Sequence, residues 1–172
     1  MKQGFEEKLM EIQSGLISLC MELTQGKVDK IYAYASIEKK SSSFNAFFEK
    51  DGEVLTIKQL KEKIKIDNNT SINFLRIGTS DLGKVRTLCE QYEAPAPTEI
   101  KMYYDVKTHK YNADCKYEEI CSEDNDLTAG TVFMSWVEEI RTQKENEVLS
   151  GNDKKKRNLF SALTGKGRNS KM

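Results

Sequence analysis

The sequence predicts an α+β fold: an antiparallel meander sheet of about five strands with helices packed on one side, in the order α-βββ-α-ββ-α. Three observations carry the prediction. Within Val28 to Glu38 strict alternation puts Ile31, Ala33, Ala35 and Ile37 on one face and Tyr32, Tyr34 and Ser36 on the other. Around it, Phe5, Leu9, Ile12, Leu16, Leu19 and Leu23 recur at spacings of three and four, the stripe of an amphipathic helix. Two further runs alternate beyond Pro97, at Ile100-Met102-Tyr104-Val106 and Tyr111-Ala113-Cys115-Tyr117.

The first helix exposes Glu6, Glu7, Lys8 and Glu11, and Gly26 is placed to end it. After the Val28–Glu38 strand comes a polar Lys-Lys-Ser-Ser-Ser link. The next strand sets Phe44, Ala46 and Phe48 opposite Asn45, Phe47 and Glu49. The face bearing Tyr32, Tyr34 and Phe47 is expected to meet water, a partner or a covering helix. Asp51-Gly52 is a two-residue hairpin signal leading to a third strand, Glu53 to Ile57. Lys58 to Ile66 reads as a helical turn or a loop, and Asp67-Asn68-Asn69 as a break. Ser80 is a plausible N-cap for a helix carrying Leu82, Val85, Leu88, Cys89 and Tyr92. An earlier start near Thr70 is left open, because Gly78 and Gly83 weaken it. Pro95 and Pro97 end that helix. A turn at Lys107-Thr108-His109 closes the second hairpin. Asp126 is positioned to cap a last helix, whose apolar side holds Leu127, Phe133, Trp136, Val137 and Ile140 and which runs to about Leu149.

Charge divides the chain. Of 27 basic and 27 acidic residues, Ser150 to Met172 holds seven basic ones against Asp153 alone, a net +6. The other 20 basic and 26 acidic residues leave −6 on the remainder. The expected organisation is a single α+β domain over 1–149 and a basic, flexible tail over 150–172. No apolar run approaches the ~20 residues of a membrane helix. The N-terminus has no signal-peptide hydrophobic region, so a cytoplasmic location is expected.

Catalytic signals fail on spacing. His109 is the only histidine, lies in a turn between lysines and has no nucleophile tied to it. Cys20, Cys89, Cys115 and Cys121 form no Cys-x-x-Cys pair and read as buried free thiols. A calcium-loop register from Asp124 puts Ala129 at the glycine position and Ser135 at the glutamate position. Thr164-Gly165-Lys166-Gly167 lacks the upstream glycine and strand of a phosphate loop. The expectation is therefore no catalytic residue, no cofactor and no metal. One charged cluster stands out: Asp114, Glu118, Glu119, Glu123, Asp124 and Asp126 fall in the last strand and the loop after it. On an acidic body they offer a negative surface to a basic partner.

Five segments carry a resemblance. They are Phe5-Glu-Glu-Lys-Leu, Lys30-Ile-Tyr-Ala-Tyr-Ala-Ser-Ile-Glu, Phe44-Asn-Ala-Phe-Phe, Pro97-Thr-Glu-Ile-Lys-Met-Tyr-Tyr-Asp and Lys110-Tyr-Asn-Ala-Asp-Cys-Lys-Tyr-Glu. In that order they resemble the YezG-like family of bacterial immunity proteins, antitoxins to secreted LXG-type polymorphic toxins. The likeness spans most of Phe5 to Ile120. It departs at Pro97, where the family pattern has an aromatic, and from Asp126 onward. The resemblance implies a non-enzymatic protein that binds a cognate toxin domain, often a nuclease, and occludes its active or substrate-binding surface. The acidic cluster, Asp114 to Asp126, is then the expected toxin-binding surface, since a nucleic-acid groove is basic. The alternative is a nucleic-acid or regulatory binding module acting through the basic tail. No membrane partner is expected.

Overall fold

A computed structural model describes residues 4–121 and 126–164. The order of elements is α1 (Phe5–Thr24), β1 (Lys30–Glu38), β2 (Ser41–Lys50), β3 (Glu53–Thr56), α2 (Ile57–Ile64), α3 (Asn68–Tyr92), β4 (Glu99–Asp105), β5 (Tyr111–Lys116) and α4 (Ala129–Thr164). The fold is α+β. Its five strands form one antiparallel sheet in the order β3-β2-β1-β4-β5. β1 is the central strand, paired with β2 on one side and β4 on the other. Two compact units divide the chain, Met1–Ser135 and Trp136–Met172.

In the first unit the alternation of β1 does what its pattern requires. Ile31, Ala33, Ala35 and Ile37 join Phe44, Ala46, Phe48, Leu55, Ile100 and Met102 in the apolar layer beneath α1 and α3. Register fixes this, since Ala33 lies opposite both Ala46 and Met102. The small side chains at the centre of the sheet leave room for Leu16, Cys20, Leu82 and Val85 of the helices, all fully buried.

The other face is dry as well at its centre: of the three occupants left open for it, water, a partner or a helix, it is a helix residue that covers it. Tyr32 stacks on Phe47 at 4.6 Å, and the Phe133 ring lies 5.8 Å from Phe47 and 5.9 Å from Tyr34. Phe47 is wholly inaccessible. A residue 86 positions further along the chain than Phe47 thus supplies its cover, a non-local event that strand alternation does not report.

Turn chemistry explains where elements stop. Asp51 and Gly52 both have positive φ, 51° and 82°, and connect the paired Lys50 and Glu53 as a two-residue turn. The Asp51 amide donates to Asp29 Oδ2 at 2.7 Å. The β1–β2 turn needs only Lys39-Lys40, and the serines assigned to a link belong to β2: Ser41 pairs with Glu38 and Ser43 with Ser36. Arg86 of α3 holds this turn by donating to the Glu38 carbonyl and to Ser42 Oγ. α1 ends one residue before the predicted glycine. Gln25 takes the left-handed conformation, and Gly26 N–H reaches back to the Met21 carbonyl at 3.2 Å.

Two helical boundaries differ from the sequence reading. Lys58 to Ile66, read as a turn or loop, is largely the helix α2, started when Gln59 Oε1 accepts the Thr56 amide at 3.0 Å. α3 begins at Asn68, not near Ser80. Asp67 caps it by accepting the Thr70 amide at 2.9 Å. Buried Ser71, Phe74, Gly78, Leu82, Val85 and Leu88 then keep one face inward through both glycines.

The Asp67 cap has a pH signature. Hydrogen bonds from Thr70 hold its carboxyl below the usual carboxylate range. A depressed folded-state value means the contribution is complete above the unfolded pKa of about 3.9 and fades as the pH falls through the folded value. Asp67→Ala is expected to lower the melting temperature at neutral pH, with the gap to the parent narrowing as the pH falls below the unfolded carboxylate value. Thermal melts across that range check it, and a gap independent of pH refutes the cap.

In the second unit α4 passes Ser150 without a break and remains helical to Thr164. Leu159, Phe160 and Leu163, in the stretch expected to be a flexible tail, belong to it and are about 70% exposed. The C-terminal segment beyond Thr164 lies outside the described residues. No described helix is long and apolar enough to cross a membrane.

Candidate functional site

The acidic stretch begins on β5, an outer strand of the sheet. Asp114 lies on the face opposite α1, and Glu118 and Glu119 follow in irregular chain after the strand; all three are exposed. Asp126 is exposed and has a left-handed backbone, φ 53°. It does not cap α4, as its position predicted. Thr128 does so, its Oγ1 accepting the Thr131 amide at 3.1 Å while Thr131 Oγ1 accepts the Thr128 amide at 2.9 Å. Glu123 and Asp124 lie outside the described residues. Asp114, Glu118, Glu119 and Asp126 make no ion pair with another described residue, so their charge faces solvent.

Polar groups hold the chain that carries these carboxylates. Thr98 donates its amide to the Lys116 carbonyl at 2.8 Å and its hydroxyl to the Glu118 carbonyl at 2.6 Å. One oxygen of Glu38 accepts the amides of Ile120 and Cys121, at 3.1 and 3.0 Å. Glu38 sits at the end of β1 and is buried. A buried carboxylate with two backbone donors is a strong, geometrically specific anchor. The strap from Tyr117 to Cys121 is therefore tied to the sheet at both ends.

Beside this anchor lies a second buried carboxylate, Glu99, at the start of β4 and only 1% exposed. Its Oε2 accepts the Tyr34 hydroxyl at 3.1 Å. Its Oε1 accepts no hydrogen bond from a described residue, but Lys116 Nζ is 3.3 Å away and Lys101 Nζ 3.8 Å. Two ammonium groups at this range offset the cost of burying the charge. Burial first, and Glu99 next, push the Tyr34 phenol far above its ordinary range, so it remains a donor. Burial, followed by Glu38, pushes the Cys121 thiol up as well.

All four cysteines are free thiols, and each is raised chiefly by burial, so none offers a thiolate at neutral pH. His109 Nδ1 is 2.7 Å from the Tyr104 hydroxyl in the exposed turn, with no nucleophile beside it. Among the described residues no three His, Cys, Asp or Glu side chains are grouped to hold a metal ion.

Sequence reading missed Glu38, Glu99 and Tyr34 as a unit. The available signal was two glutamates at strand ends, the last residue of β1 and the first of β4, both in phase with the Tyr34 face. Their meeting depends on the pairing of Ser36 with Glu99, which joins segments far apart in the chain. Comparison with known proteins finds no matching family model and no matching curated protein.

Proposed function

We propose that this chain is an immunity protein, a non-enzymatic antitoxin that binds a cognate toxin domain and blocks its active or substrate-binding surface. The observation that supports this reading best is the set of exposed, unpaired carboxylates Asp114, Glu118 and Glu119, next to a strap anchored by Glu38 and Thr98. A fixed negative rim competes for a basic groove of the kind that binds nucleic acid, which makes a nuclease domain the preferred partner. Anchoring reduces the ordering cost of association. The protein acts stoichiometrically and in the cytoplasm, without cofactor or metal.

Reversing Glu118, Glu119, Glu123 and Asp124 to lysine is expected to weaken toxin-domain binding by on the order of 10- to 100-fold, mainly through slower association at low salt. The melting temperature should stay within about 2 °C of the parent, as expected for surface changes. Surface plasmon resonance with parallel thermal melts measures both. Unchanged affinity removes the acidic-rim mechanism, and a purified toxin domain that never binds removes the reading.

One observation favours a second reading. Lys154, Lys155, Lys156 and Arg157 are consecutive, exposed positions of α4, a basic patch suited to phosphate contacts. A nucleic-acid module predicts binding that falls steeply with salt and disappears when 150–172 is deleted.

A further inference from the structure

The two edges of the sheet are unequal. β3 is four residues long, runs straight into α2, and has its Glu53 paired with Lys63 at 2.5 Å. β5 is six residues long, and no described strand pairs with its outer side. Register and hydrogen bonding fix which backbone groups face outward. Asp105 N–H donates to the Lys110 carbonyl, so the matching inward residues are Asn112, Asp114 and Lys116. Tyr111, Ala113 and Cys115 therefore direct their N–H and C=O away from β4.

An unpaired edge is a template for another strand. On the helix side of this edge lies a groove of about 350 Å³, lined by Met10, Ile17, Met21, Tyr104, Tyr111 and two serines of α1. Met10 is 58% exposed there. Tyr111 closes the floor by donating to Gln13 Oε1 at 2.8 Å. An added strand would alternate between this groove and the opposite face. On that face Lys116 is already engaged with Glu99, whereas Asp114 has no ionic partner among the described residues and leads to Glu118 and Glu119. A second copy of this chain would set like carboxylates together at the same edge. The complementary occupant is basic where it meets Asp114 and apolar where it meets the groove.

We propose that the outer edge of β5 is a strand-addition site, taking an extended segment of a partner protein in which basic and apolar residues alternate. This goes beyond the occlusion argued above, and its test needs no toxin. The probe is a nine-residue peptide of alternating lysine and valine with blocked ends, added to the isotope-labelled full chain. The amides of Tyr111, Ala113 and Cys115 are expected to shift and to exchange with solvent ~10-fold more slowly. Those of Asn112 and Asp114, already bonded to β4, should keep their exchange rates. A glutamate–valine peptide of equal length should leave all five unchanged. Ala113→Pro, which removes an outward donor while sparing the β4 bonds, should abolish the response. If that variant fails to fold, Asp114→Lys should invert the preference between the two peptides. The site is refuted by no response at millimolar peptide, by equal responses to both peptides, or by self-association of the free chain through this edge.

Discussion

Gly78→Ala should destabilise the protein while Gly83→Ala, five positions along the same helix, should stabilise it. A methyl group built on Gly78 would lie 2.0 Å from Phe44 Cδ1 and 2.6 Å from Cγ, inside the ring that β2 seats against α3. The ring has little freedom to retreat. It packs on Phe74 at 5.4 Å, and the Phe44 amide is fixed to Thr79 Oγ1 at 3.2 Å. Overpacking of this kind costs about 1–3 kcal/mol and exceeds the ~1 kcal/mol that alanine contributes in a helix. At Gly83 nothing lies within 4 Å of the added methyl, so only the helix-propensity gain of about 0.5–1 kcal/mol remains. Urea denaturation of the two variants gives the comparison. A stabilised Gly78→Ala would mean that Phe44 is not seated there.

Glu38→Ala should have the largest effect of any polar substitution at the strap. It removes the acceptor of two amides and leaves the Ile120 and Cys121 N–H groups unsatisfied beside a buried cluster. The expected loss is about 2–3 kcal/mol, a fall in melting temperature of roughly 4–12 °C for a chain of this size. Glu38→Gln keeps an oxygen in place and should cost about 1 kcal/mol, the difference between a charged and a neutral acceptor. Hydrogen exchange at Ile120 and Cys121 should accelerate in the alanine variant far more than in the glutamine variant. Equal behaviour of the two variants would show that the carboxylate does not hold the strap. Because these amides lie between Glu119 and the rest of the acidic loop, the same pair of variants links stability to binding. Under the proposed function, alanine should weaken binding of a toxin domain without altering any surface charge.

The parts of the fold legible in the sequence are those set by local pattern. The stripe of α1, the alternation of β1 and β4, and the Asp51-Gly52 turn each follow from residues within a few positions of one another. α3 was harder because Gly78 argues against a helix locally, and its reason for being glycine is the Phe44 ring on another element. α2 carries only Ile57 and Leu60 as buried residues, too few for a periodic signal, and its start depends on Thr56 and Gln59. For the site, the exposed carboxylates could be read as a cluster directly. The residues that anchor their backbone could not. Glu38 and Glu99 are each unremarkable in their own strands, and only the sheet brings them to the strap and to Tyr34.

The Phe133 ring over Tyr34 and Phe47 has a consequence for how such a molecule can diversify. With the centre of both sheet faces sealed, the proposed rim is where substitutions would alter recognition, on β5 and in the strap beyond it. Its exposed positions, Asn112, Asp114, Glu118 and Glu119, lie in a short run of sequence, whereas Tyr111, Ala113 and Cys115 among them pack against the core. A change of the proposed partner can therefore proceed by a few replacements at those exposed positions, each almost neutral for folding. Variation in the Tyr32–Phe47–Phe133 stack, by contrast, would be paid in stability without changing what the rim recognises.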